Sequence, residues 1–227
     1  MTGNTNASLP RLKLTYFDFD GGRGEAARLT LAIAGIEFQD CRILLKAWVD
    51  HKAQMPFHAL PVLEVDGEEI TQSNTINRYL GKLANLYPAD RWQAALCDEI
   101  MDAIEDIGTQ IVATFSIKDH AEKETARERL AEGPIPLYLT RLDSELERRG
   151  GEYFADNRLT VADLKAFVWI RHLRSGQLDY IPPDLPDRLA PLLLRQFERL
   201  NGDGRIHAYY EKRRISQASS SPGGTTS

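Results

Sequence analysis

Tyr16 followed by Gly21, Gly22, Arg23 and Gly24 is the first group in this sequence whose residue types could do chemistry. A phenol hydroxyl and the free N–H groups of a glycine-rich bend entering a helix are all donors, which suits an anion or a thiolate. The flanking residues read as the elements that would hold them. Leu12, Leu14 and Tyr16 alternate with Lys13 and Thr15 as in a half-buried strand. Ala26, Ala27, Leu29, Leu31, Ala32 and Ile33 take helical spacing up to a stop at Gly35. On this stretch alone, Tyr16 is better read as a tyrosine that anchors a strand end in a core.

The stretch MPFHALPVLEVDGEEITQS carries the next signals. Val62 to Val65 is a short apolar strand, Asp66-Gly67 a hairpin turn, and Ile70-Thr71 the start of a return strand. Ser73 reads as the N-cap of a helix with Ile76, Tyr79, Leu80 and Leu83 on its apolar side. A strand at Glu37 to Ile43 and a short helix within Leu44 to Gln54 complete an order of β-α-β-α-β-β-α through residue 84. After a linker at 85–90 the strand signals stop. Trp92, Ala95, Leu96, Ile100, Ile104, Ile107 and Ile111 predict one long amphipathic helix. Asp102, Glu105 and Asp106 form an acidic ridge beside its apolar stripe. A further helical pattern runs from Ala121 to Arg149, where Pro134 and Pro136 must bend or break it. Thr160 with Asp163 has the form of a capping box ahead of the apolar run Leu164 to Ile170, a folding element rather than a site. Helices around Leu192 to Leu200 and Arg205 to Tyr210 end the expected fold at 214; residues 1–10 and 215–227 are small, polar and expected to be disordered.

Composition bounds the function classes. A chain of 227 residues that is 42% hydrophobic has ample core material, and a net charge of −5 offers no general attraction to a phosphate backbone. Nucleic acid is therefore not an expected partner. No window approaches a membrane span, and the polar start lacks the apolar core of a signal peptide, so a cytoplasmic location is expected. Cys41 and Cys97 form no CxxC or metal spacing and read as reduced thiols.

The segments KLTYFDFDGGRGEAAR, AW..HK, PFHALPVLEVDG, TQSNTINRYL and LTVADL, in that order, resemble the cytosolic glutathione transferases, most closely the tyrosine-type, sigma-like members. The resemblance spans Leu9 to Arg214. It implies an α/β plus all-α fold, with a thioredoxin-like βαβαββα domain at 11–84 and a helical bundle at 91–214. It implies a homodimer that uses glutathione as co-substrate, with no metal expected, and conjugates it to an apolar electrophile. An isomerase or ether-cleaving enzyme on the same site, or a non-catalytic binding or structural protein, are the alternatives.

The resemblance also distributes roles. Tyr16 would hydrogen-bond the glutathione sulfur, since the thiolate is the nucleophile and a free thiol ionises only near ~8.5. Arg23 would orient this site. Trp48 and Lys52 would hold the glycine carboxylate, Leu60 before a cis Pro61 would pair with the cysteine backbone, and Gln72 with Ser73 would hold the γ-glutamyl end. Asp106 would reach the ligand amine across the dimer. Phe17 and Phe19, with Ile107 and Gln110 opposite, would line the acceptor pocket. Two departures stand out: the loop from Tyr16 to Arg23 is one residue longer than usual and richer in glycine, and Ala59 stands where a Lys or Gln often touches glutathione.

Overall fold

The computed structural model describes residues 9–220. Its first part runs β1 (Leu12–Phe17), α1 (Glu25–Ala34), β2 (Gln39–Ile43), α2 (Trp48–Lys52), β3 (Val62–Val65), β4 (Glu68–Thr71) and α3 (Ser73–Leu83). The four strands form one mixed sheet in the order β2-β1-β3-β4. Strands β1 and β2 are parallel with Tyr16 opposite Arg42, β1 and β3 are antiparallel with Thr15 opposite Val62, and β3 turns into β4 at Asp66-Gly67. Both turn residues have positive φ, 51° and 98°, the geometry that a two-residue hairpin of this hand requires.

The second part is helical: α4 (Arg91–Ala113), α5 (His120–Glu132), α6 (Pro134–Arg148), α7 (Val161–Arg174), α8 (Leu185–Leu189), α9 (Pro191–Asn201) and α10 (Gly204–Ser220). The pattern from Ala121 to Arg149 is two helices broken at Gly133, since Pro134 and Pro136 lack the N–H a continuous helix would need and Pro134 instead opens α6. Helix α10 continues to Ser220, so residues 215–220 are helical where the sequence suggested a disordered tail. Residues 1–8 and 221–227 lie outside the described residues.

Helix α1 is buried on two sides, which explains its nearly continuous apolar sequence. Ala27 and Leu31 pack on Leu14, Leu63, Ile76 and Leu80 between sheet and α3. Leu29 and Ile33, one turn apart, join the core of the helical part. That core centres on α4 and α7. At the start of α7 the capping box is formed, the Asp163 carboxylate accepting from the Thr160 N–H and hydroxyl, both at 2.7 Å. It also accepts from the Phe154 N–H and the Gln196 amide, so one side chain fixes the start of α7 against α9. Trp92, assigned to the apolar stripe of α4, is 68% exposed; the stripe begins effectively at Cys97.

Candidate active site

Tyr16 is the last residue but one of β1 and is buried, with the Phe17 and Phe19 rings 5.3 and 5.7 Å from its own. Its hydroxyl accepts the Arg23 backbone N–H at 2.9 Å, which leaves the phenol proton available to donate elsewhere. Burial pushes the phenol up to about 12, against the downward pull of that N–H and of the Arg23 and Arg28 guanidiniums. The group is therefore a neutral donor at physiological pH.

Two of the three glycines of the loop are dictated by Tyr16. A Cβ on Gly24 would lie 2.4 Å from the Tyr16 ring, and one on Gly22, whose φ is +66°, would lie 2.5 Å from the hydroxyl. The loop is held from below by Arg28 of α1, fully buried, which donates to the Phe17 carbonyl at 3.1 Å and the Phe19 carbonyl at 3.3 Å and pairs with Asp40 and Glu25. An arginine in the middle of the apolar run of α1 is the sequence signal for this support.

Arg23 turns its guanidinium to α4, where it pairs with Glu105 and donates to Thr109 at 2.9 Å. Glu105 also accepts from Ser73 at 2.9 Å and from Lys165 of α7 at 2.7 Å. Burial would raise this carboxyl, but Lys165 and Arg23 hold it down at about 2. The acidic ridge thus dissolves into separate pairings. Asp102 accepts from Asn74 and Arg78, Glu105 is the hub just described, and Asp106 is exposed.

Ser73 is buried but does not cap α3: the cap position is Gln72, with φ 69°, and the Ser73 hydroxyl is spent on Glu105. Gln72 is exposed at the same corner. The Leu60-Pro61 bond is cis. Trp48 packs edge-on against Phe17 at 5.3 Å, and Lys52 is exposed one turn further along α2.

Beside the Tyr16 hydroxyl lies a cavity of about 170 Å³ lined by Phe19, Gly22, Ile104, Ile111, Val112, Phe115, Lys165, Trp169 and His172, among others. Of the four residues expected in an acceptor pocket, Phe19 lines it. Phe17 instead packs on Trp48, Ile107 is wholly buried in the helical core, and Gln110 is exposed. The face of α4 that meets the cavity carries Ile104, Gly108, Ile111 and Val112, with Phe115 in the turn that follows the helix, while Ile107 belongs to the adjacent face. Lys165 and His172 were missed. The signal was a cation inside the otherwise apolar run of α7.

The class these elements define is a two-domain protein in which a thioredoxin-like sheet domain meets a helical domain across a cavity bordered by a buried, neutral phenol. Residues 12–82 match the family model of the glutathione S-transferase N-terminal domain, and residues 105–213 that of its C-terminal domain. The chain is 31% identical to glutathione S-transferase 2 of Manduca sexta over 89% of this chain and 97% of that one. A structure of prostaglandin synthase D of Nilaparvata lugens superposes with a TM-score of 0.81 at 30% identity, covering 90% of this chain and 98% of that one. The sigma class transferase of Fasciola hepatica gives 0.76 at 28% identity, covering 90% and 97%. The chain belongs to the glutathione S-transferase family, and its activity is glutathione conjugation. Among the described residues, no helix is long and apolar enough to cross a membrane.

Proposed function

We propose that Tyr16 donates its phenol proton in a hydrogen bond to the glutathione sulfur, holding it as the thiolate that attacks an electrophilic carbon of an apolar acceptor. The observation that carries this is the Tyr16 hydroxyl itself, kept protonated by burial, already accepting from the Arg23 N–H, and bordering an apolar cavity. A hydrogen bond to a charged partner contributes about 1.5–3 kcal/mol, or roughly ten- to a hundredfold in thiolate population. Tyr16→Phe should therefore lower turnover of an aromatic electrophile at least about tenfold while glutathione binding, measured by calorimetry, is retained. Unchanged turnover would overturn the assignment and turn attention to Thr15.

Arg23 is a positioning residue here, its backbone N–H on the phenol and its guanidinium on Glu105. Trp48 and Lys52 hold the glycine carboxylate, the Leu60 backbone ahead of Pro61 takes the cysteine residue, and Gln72 with the backbone of Ser73 takes the γ-glutamyl carboxylate at the start of α3. Asp106 reaches the ligand amine from a second subunit. A homodimer is supported by large apolar side chains left in solvent, Phe57 at 80% exposed with φ 53° and Val49 at 82%. Light scattering should give twice the chain mass, and Phe57→Ser should shift it toward one; a wild-type monomer would remove the Asp106 role. Two free cysteines, Cys41 and Cys97, accord with a reducing, cytoplasmic setting. The likeness to a prostaglandin synthase supports glutathione-dependent isomerisation as a second reading of the same site.

A further inference from the structure

Lys165 carries the only formal positive charge among the described residues that line the cavity, and it sits in a wall made largely of Phe19, Ile104, Ile111, Phe115 and Trp169. It is 8% exposed, on a helix whose neighbouring positions Leu164, Ala166 and Phe167 are buried and apolar. Burying an ammonium is costly by several kcal/mol, and a tether between α7 and α4 would be served as well by packed hydrophobic side chains. Two of its three N–H groups are committed, to Glu105 at 2.7 Å and to Asn74. The third has no described protein partner. We propose that Lys165 is a catalytic residue of the acceptor site, that its ammonium donates to a carbonyl oxygen of the acceptor, and that the preferred acceptors are compact α,β-unsaturated ketones and aldehydes.

This rests on the thiolate reading above. Arg23, Glu105 and Lys165 together carry one positive charge in excess beside the phenol. A glutathione thiolate neutralises that excess before reaction. When the thiolate displaces a halide, the negative charge leaves with the halide and a resident cation gains nothing. When it adds to an enone, the S–C bond forms at the β-carbon as the C=C π bond breaks, and the electron pair moves to the carbonyl oxygen as an enolate. The charge then stays in the cavity, where a fixed ammonium stabilises it. Solvent returns to the α-carbon the proton that the thiol lost on ionising, so the sum is addition of thiol across the double bond. The cavity, about 170 Å³, is smaller than the ~300–1,000 Å³ of most ligand pockets, which limits the acceptor to a small ring or short chain.

The test compares cyclohexenone with benzyl chloride as acceptors for wild type, Lys165→Met and Lys165→Arg, with glutathione affinity measured by calorimetry. Lys165→Met should lose about ten- to a hundredfold more in kcat/KM with cyclohexenone than with benzyl chloride, the worth of one charge-assisted bond, over any loss common to both from the freed Glu105. Lys165→Arg should recover part of the cyclohexenone rate. Equal losses on both acceptors overturn the assignment. In wild type alone, cyclohexanone should inhibit benzyl chloride turnover more strongly than cyclohexane does; equal inhibition overturns the proposal without any variant. An enzyme that binds glutathione yet conjugates neither acceptor overturns the thiolate reading and this one with it. If Tyr16→Phe slows both acceptors and Lys165→Met slows both alike, only the role of Lys165 falls.

Discussion

The position of the Tyr16 hydroxyl is set by two side chains that are missing. Gly24 lies against the ring and Gly22 against the hydroxyl, each nearer than any Cβ could be tolerated. Gly24→Ala should push the ring off its seat; overpacking of this kind costs about 1–3 kcal/mol, because neither β1 nor α1 can yield without losing its own packing. A lower melting temperature together with reduced glutathione conjugation would bear this out, and an unperturbed variant would mean that the loop gives way easily. That the loop before Arg23 is rich in glycine is plain in the sequence, but the reason is not. A sequence displays which residues lack side chains and not which ring they must clear.

Elements were legible where the period of apolar residues is clean, and the site was legible only where its residues lie in the strand ends and turns of the first domain. The strand, glycine bend and helix around Tyr16, the Asp66-Gly67 turn and the Thr160/Asp163 cap follow from local rules, and each is formed. The face of α4 that meets the cavity did not follow, because α4 is apolar on more than one side and periodicity cannot say which neighbour each side meets. Ser73 misled in a similar way: a serine before an apolar run reads as a cap, but Glu105, 32 positions away, takes its hydroxyl. Helix α10 is the largest instance. Its Arg213 pairs with Asp18 and donates to Asp20 at 3.1 Å, across 193 positions, and Arg42 reaches the same carboxylates from β2 while donating to the Tyr209 hydroxyl at 3.2 Å. The last helix is thereby fastened to the loop that follows Tyr16 and β1. Arg213→Ala should speed hydrogen exchange in residues 18–24 and lower stability by about 1–3 kcal/mol, since it strips charged partners from half-buried carboxylates. Arg214→Ala, one position on, removes only an exposed pair with Glu211 and should leave the melting temperature unchanged. Equal effects of the two would argue against the fastening.

At the scale of the whole molecule, the junction between the domains is built from buried charges, and these fix how stability depends on pH. Glu105 ties the Arg23 loop, α3 and α7 together, and its folded pKa of about 2 lies below the ordinary 4.5. The unfolded chain then binds the extra proton in that interval, so stability is complete above 4.5 and is lost as pH falls toward 2. Glu25 works in the opposite direction. It is fully buried beneath the glycine loop, and burial pushes it up to about 7 against the pull of Arg28 and Arg42, with Asp20 and the hydroxyls of Tyr209 and Tyr210 also facing it. Here the folded chain binds the proton more tightly, so stability falls as pH rises from 4.5 to about 7. Asp163, raised by burial from 3.8 to about 6, adds to that fall over the lower part of the interval. His172, lowered by burial below 6.5, opposes it, because its unfolded form gains a proton there that the folded form resists. The total curve therefore mixes signs, and the informative quantity is the difference between wild type and Glu25→Gln, which keeps the shape and cannot ionise. That variant should gain stability relative to wild type steadily from pH 4.5 to about 7 and match its acid limb below 4.5. Thermal melts across this range would reveal it, and parallel curves would mean that Glu25 does not change its proton on unfolding.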